Sequence, residues 1–422
     1  MAEVTIESDH VDELREQLIG KLHELKALRT EAVERAVRAV PRHLFVPEET
    51  AEDAYAAERS LVTKRDEHGV AISSVSAARI QTFMLEQADV QPGMRVLEIG
   101  SGGLNAAYLA ELVGVSGEVV TVDIDPDVTA RAERLLTGNG YSQVRVVLAD
   151  AENGIPEHAP FDRILVTVGA WDIPPAWVEQ LADDGRLVVP LRMRGLTRSI
   201  AFQRESGHLI SRDSEVCGFV PMQGSGAHRE DLLLVNGTDE IGLRFDDGLP
   251  SEPSLLDNAA RTPRAETWTG VTVGRWESFE LLQLYLATML NGFCIMAVDP
   301  ELDTGLVAPS NKYFSMAAVG GANFAYVATR RTPDDKSVEF GVHAFGPDGP
   351  AFAETVASHV RAWDREQRGG PGPRIAVYPA DTPDDQLPGE RVISKIHCRV
   401  TFSWPTAATA AEDQVVLHHP TE

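Results

Sequence analysis

Three carboxylates recur at the ends of three successive apolar runs. Glu98 lies in Val96-Leu97-Glu98-Ile99-Gly100-Ser101-Gly102-Gly103, Asp123 sits in EVVTVDID, and Asp150 lies in Leu148-Ala149-Asp150-Ala151. The first run passes into a glycine turn and then a helical stretch. Glycine lets a backbone approach a ligand closely and take positive φ. A strand–turn–helix of this kind places a ligand beside the helix N-terminus, at the carboxyl ends of the strands. An acid in the position of Asp123 can accept hydrogen bonds from both hydroxyls of a ribose. One in the position of Asp150 can accept from an adenine amino group.

Two cofactor classes use such a turn. Dinucleotides favour G-x-G-x-x-G, followed by an acid about 20 residues later. Here Gly100 and Gly102 match, but the third glycine position holds Asn105. Three acids suit a cofactor that carries no phosphate and is cationic at sulfur, so the spacing points to S-adenosyl-L-methionine. The expected contacts are Glu98, Gly100, Ser101, Gly102, Asn105, Asp123, Ile124, Asp150, Ala151 and Val168. Taken singly, each Asp has a plainer reading as a helix cap.

These residues need a sheet to hold them. Strand-like runs at 95–100, 118–125, 144–150, 162–169 and 186–191 alternate with helical segments at Asn105–Val113, Pro126–Gly138 and Pro175–Ala182. That alternation predicts a parallel α/β sheet with helices on both faces, a Rossmann-like arrangement. Ahead of it, residues 11–40 read as two helices. Val11, Leu14, Leu18 and Leu22 form one stripe, and the second helix starts near Thr30-Glu31 and stops before Pro41. Residues 231–265 are polar and rich in Pro, Gly and Asp, which predicts a linker or an irregular crossover. The expected organisation is an N-terminal helical and active-site-loop region (1–92), a cofactor-binding domain (93–230), the linker, a C-terminal α+β domain (266–404) and a tail (405–422). In the C-terminal part, the helix at 277–292 is apolar on several faces. Core packing is the plainer reading; a peptide-recognition or homodimerisation surface is the other.

Composition excludes several classes. The chain has 422 residues, with 64 acids against 38 bases and a net charge of -26. Phosphate backbones need clustered Lys and Arg, so no nucleic-acid partner is expected. No run of 18 apolar residues occurs, so no membrane helix is expected. The N-terminus MAEVTIESDH lacks a basic-then-apolar signal, and the expected location is cytoplasmic. Cys217, Cys294 and Cys398 are too scattered for a zinc site or a disulfide framework, and no metal is expected.

With these features in place, the chain resembles the protein-L-isoaspartate O-methyltransferases over residues 10–225. Five segments carry the likeness in order: Arg38-Ala39-Val40-Pro41-Arg42-His43-Leu44-Phe45-Val46-Pro47, His68-Gly69-Val70-Ala71-Ile72-Ser73, the glycine turn, Asp162–Thr167 with Ile173-Pro174-Pro175, and Gly218-Phe219-Val220-Pro221-Met222. The resemblance implies a class I methyltransferase sheet and transfer of a methyl group to a side-chain carboxylate. Two departures stand out. The glycine turn is one residue shorter, with Leu104 where an aromatic is usual. The family's T-I-S-Q-P run is replaced by Ile72-Ser73-Ser74-Val75-Ser76-Ala77-Ala78-Arg79. Counting back from Met84-Leu85-Glu86 puts the family serine on Ser76; counting forward from His68-Gly69 puts it on Ser73.

The resemblance therefore implies Ser76 as the residue that orients the substrate carboxylate and borders the cofactor, with Ser73 and Ser74 as alternates. Arg79, His68 and Trp171 are expected to meet the substrate, and Trp171 with Trp177 to form a peptide-binding wall. The altered serine run and the long C-terminal part resemble a branch found beside lanthipeptide genes. Those enzymes methylate an aspartate in a ribosomally made, modified precursor peptide, and the ester leads through a succinimide to isoaspartate. Repair of isoaspartyl protein is the second reading, and a non-catalytic S-adenosylmethionine-binding module is the third.

Overall fold

The computed structural model describes residues 2–235, 239–388 and 391–405, with side chains from residue 9 onward. The expected tail, apart from Pro405, lies outside the described residues. Helices α1 (Ala2–Glu24), α2 (Glu31–Ala39) and α3 (Ala51–Ala54) lead in. Helix α2 begins where expected because the Thr30 hydroxyl accepts from the Val33 amide. A two-stranded hairpin comes after them, β1 (Leu61–Arg65) with β2 (Ala71–Val75), and then α4 (Ala78–Ala88).

Next comes the α/β unit: β3 (Arg95–Ile99), α5 (Leu104–Val113), β4 (Glu118–Asp123), α6 (Pro126–Gly138), β5 (Arg145–Leu148), β6 (Phe161–Val166), α7 (Pro175–Glu179) and β7 (Leu181–Met193). Strands β5, β4, β3, β6 and β7 pair in that order, all parallel. Val96, Leu97, Glu98 and Ile99 of β3 are all buried, as a strand covered on both faces requires. Helix α6 starts with Asp125 as its cap and Pro126 in its first turn.

Beyond β7 the sheet continues within the expected 93–230 domain, and the expected boundaries fail only after it. Strands β8 (Leu196–Glu205) and β9 (His208–Val216) extend the same sheet by antiparallel pairing. Strands β10 (Asp231–Leu234) and β11 (Ile241–Phe245) form inside the stretch expected as linker. They open a second, seven-stranded antiparallel sheet, in the order β10, β11, β13 (Phe293–Val298), β14 (Ser315–Gly320), β15 (Asn323–Arg331), β16 (Ser337–Phe345) and β12 (Ala265–Gly274).

Helices α8 (Glu280–Met289) and α9 (Gly349–Glu366) belong to this second part. The last strands do not. Strand β17 (Arg374–Pro379) pairs with β9, β19 (Cys398–Ser403) with β17, and β18 (Arg391–Ser394) with β19, completing a ten-stranded first sheet. An unpaired β9 edge would leave a row of backbone donors and acceptors, and the chain's end covers it. The C-terminal part is therefore not a separate contiguous domain. Helix α8 confirms this in packing: Leu282, Leu284 and Leu286 share one buried core with Leu191, Ile200 and Phe202 of the first sheet and Ile295 and Phe340 of the second. That burial makes core packing the role of these leucines. No helix among the described residues is long and apolar enough to cross a membrane.

Candidate active site

The cleft opens at the carboxyl ends of β3, β4, β5 and β6. The turn after β3 has two residues that only glycine suits. Gly100 has φ +99°, and a Cβ there would come within 2.7 Å of the Thr167 hydroxyl; Gly103 has φ +83° at the start of α5. Gly102, between them, lines the cleft, and nothing lies within 4 Å of where its Cβ would stand.

Asp123 is held in place by this turn. Its Oδ2 accepts from the Ser101 amide at 3.0 Å and its Oδ1 from the Asp125 amide at 2.9 Å. Burial raises its pKa against those bonds. Asp150 behaves oppositely. Burial would raise it, but the amides of Ser225 (2.8 Å) and Glu152 (3.0 Å) outweigh that and hold it below the usual value.

Glu98 has no exposure, and the Thr121 hydroxyl donates to its Oε2 at 2.6 Å. Burial pushes its pKa up to about 7, against the opposing Thr121 bond. The Asn105 amide also opposes that rise but stands outside hydrogen-bond geometry. Three buried polar atoms here lack a partner among the described residues: Glu98 Oε1, Ser101 Oγ and Asn105 Nδ2. All three residues line the cleft. Buried polar atoms are normally paired, so this cluster of a carboxyl, a hydroxyl and an amide donor fits the amino-acid end of S-adenosylmethionine. Asp123 and Asp150 then continue along the strand ends.

The hairpin and the segment joining it to α4 roof the cleft. Ser73, Ser74 and Ser76 line the same section as Glu98, Gly100, Ser101, Gly102, Asn105, Asp123 and Val168. Ile124, Asp150 and Ala151 line an adjoining section that shares Gly100, Asp123 and Val168. Ser73 Oγ accepts from Thr63 at 2.9 Å, and Lys64 bridges both oxygens of Asp125 (2.8 and 2.7 Å) and Asp127 (2.7 Å). The hairpin is thereby tied to the start of α6, two residues past Asp123.

Three residues expected to meet substrate do not line the cleft. His68 is exposed in the hairpin turn beside Glu67. Arg79 lies in the first turn of α4, where its charge acts on Glu215. Trp171 is stacked on His228 at 3.9 Å, with Lys395 at 4.3 Å from its ring. Trp177 is no wall either: it is fully buried, and its Nε1 donates to Ala151 O at 2.7 Å. Large rings near a strand end found partners in the C-terminal part, or in the core, that local sequence could not name.

Other residues were missed. Phe219, Val220, Pro221, Met222 and Gln223 close the cleft because Gly169 holds that segment on both sides: its amide donates to Val220 O, and its carbonyl accepts from the Met222 amide. Arg42 is 1 % exposed and donates to Ala54 O (2.6 Å), Ser76 O (2.7 Å) and Gln81 Oε1. It positions the serine segment from beneath. A charged residue inside the apolar Val40–Val46 stretch was the available signal.

Comparison with known proteins places the chain in a family. Residues 13–227, half of the chain, match the family described as protein-L-isoaspartate(D-aspartate) O-methyltransferase (PCMT). A protein-L-isoaspartate O-methyltransferase of Methanopyrus kandleri is 37% identical over 219 residues, which is 51% of this chain and 94% of that protein. A solved protein-L-isoaspartate O-methyltransferase aligns over 86% of this chain and 96% of its own, at 20% identity and a TM-score of 0.48. A Plasmodium falciparum structure, described as a putative enzyme of the same kind in complex with S-adenosyl-L-homocysteine, aligns over 49% and 97% at 18% identity and a TM-score of 0.42. The chain belongs to the protein-L-isoaspartate O-methyltransferase family and is an S-adenosylmethionine-dependent carboxyl O-methyltransferase.

Proposed function

We propose that this enzyme methylates an aspartate side-chain carboxylate in a ribosomally made, lanthipeptide-type precursor peptide. One observation carries the chemistry. The cleft section beside Glu98 is lined by the neutral residues Ser73, Ser74 and Ser76, and no Lys, Arg or His is among its lining residues. A carboxylate near its ordinary pKa is already ionised at pH 7, so it needs no base. An amine acceptor would.

S-adenosylmethionine, when bound, supplies the methyl group. The chain's part is to hold the acceptor. Ser76 donates one hydrogen bond to one carboxylate oxygen and adds no charge, leaving the other oxygen free to face the cofactor. Ser73 and Ser74 of β2 are the alternates for this role. Fixing reactants about 3 Å apart supplies several kcal/mol of the barrier. In the product, the next residue's backbone nitrogen attacks the ester carbonyl, methanol leaves, and a succinimide forms; water then opens it to aspartate or isoaspartate.

The serine run that replaces T-I-S-Q-P supports the peptide-tailoring reading, because the change falls on the surface that would meet the acceptor. A second reading, isoaspartate repair, is favoured by the relative that shares 37% identity across nearly its whole length. Mass spectrometry after incubation with S-adenosylmethionine separates them. Methyl ester on a cyclised aspartyl peptide, with little on a linear isoaspartyl peptide, is expected; strong turnover of the linear isoaspartyl peptide would overturn the tailoring reading.

A further inference from the structure

Residues 150–152 form a short turn at the adenine end of the cleft, and each is held from outside. Asp150 accepts from Ser225, and Ala151 O accepts from Trp177. Glu152 is held by the far end of the chain: its Oε1 lies 3.1 Å from Nε2 of His397. His397 sits in the tight turn between β18 and β19, closed by the Lys395 amide donating to Cys398 O at 2.8 Å. That turn is itself anchored. The His397 amide donates to Asp172 Oδ2 at 2.7 Å, and the Lys395 ammonium donates to Arg192 O at 2.9 Å.

Glu152 in turn packs under the segment that covers the cleft. A Cβ on Gly226 would come within 2.8 Å of both Glu152 Oε2 and Met222 Sδ. Asp150 and Asp172 both act on Glu152 as like charges. His397 is the side chain set beside Glu152, and it reaches there only because β17–β19 rejoin the first sheet.

We infer that His397 is a positioning residue for the cofactor's adenine end: through Glu152 it fixes the 150–152 turn, so the C-terminal strands set cofactor affinity. The acting elements are the 395–398 turn, the 150–152 turn and the Met222–Gly226 cover.

Isothermal titration of the full-length protein with S-adenosylhomocysteine, and separately with 5′-methylthioadenosine, tests this. His397→Ala is expected to weaken both ligands by the same factor, about fivefold, at the low end of couplings between sites. His397→Gln, whose amide can still donate, is expected to recover most of the loss. Glu152→Gln should weaken both ligands similarly, and the double variant should be no weaker than the single ones. Unchanged affinities overturn the inference, as does a loss confined to S-adenosylhomocysteine, or additive losses in the double variant. If His397→Ala does not fold, the His397→Gln and Glu152→Gln titrations decide: unchanged affinities in Glu152→Gln, or a loss confined to S-adenosylhomocysteine in either variant, overturn the inference.

Discussion

The Thr121 hydroxyl donates to one oxygen of the buried Glu98 carboxylate at 2.6 Å, while the other oxygen faces the cleft without a protein partner among the described residues. This half-satisfied acid is a ready partner for a cation, and it couples cofactor binding to pH.

Glu98 has a folded pKa of about 7 against 4.5 for the free group. Between those values the folded chain holds a proton that the unfolded chain has lost. Stability of the ligand-free protein therefore falls as pH rises through this window, by roughly 3 kcal/mol at most. A cation beside Glu98 favours the ionised form. Titration calorimetry from pH 6 to 8 should show S-adenosylhomocysteine binding tighten with pH, and Glu98→Gln should flatten that dependence. The same variant should melt higher than wild type at pH 8 without ligand.

Ser76→Ala removes the hydroxyl assigned to the acceptor carboxylate. A hydrogen bond to a charged group contributes about 1.5–3 kcal/mol, so kcat/KM for the peptide should fall roughly ten- to hundredfold. Affinity for S-adenosylhomocysteine should change far less. If Ser73→Ala or Ser74→Ala shows the larger loss in steady-state methylation assays, the orienting role passes to that serine.

Lys64 joins the serine hairpin to Asp125 and Asp127 through a partly exposed ion cluster. Salt screens such contacts. Lys64→Met should weaken S-adenosylhomocysteine binding a few-fold at low salt, and the difference from wild type should shrink at 0.5–1 M salt, roughly where the Debye length drops toward 3 Å. A difference that is independent of salt would show that the lysine acts through packing alone.

The two sheets should unfold together. Ile375, Val377, Ile393, Val400 and Phe402 are all buried in the shared core, and at roughly 1.5–3 kcal/mol each they represent an amount comparable to the whole stability of a typical domain. Differential scanning calorimetry should show one transition. A chain ending before β17 should be insoluble or molten, so its inactivity would not measure substrate docking. Two separated transitions would contradict this.

Much of the site could be read from the sequence because its signals are local. Strand β3 announces itself as an apolar run ending in glycines, and Asp123 and Asp150 sit at the ends of the next two strands. Thr30 and Asp125 cap their helices by hydrogen bonds that span only two or three residues. The order of those elements decided that Glu98, Asp123 and Asp150 would meet along one edge. What the tertiary structure alone decided depends on partners far away in the chain. Strand β8 could not be read because its buried Ser199 and Arg198 are bonded to Gln87 and to Glu280 O, contacts that no window of sequence contains. Trp171 is kept out of the cleft lining because His228 and Lys395 enclose it. His397 reaches Glu152 because an open β9 edge draws the last strands back to the first sheet. Local pattern sets which groups stand at a strand's end; only long-range pairing and burial set which of them face the cleft and what holds them there.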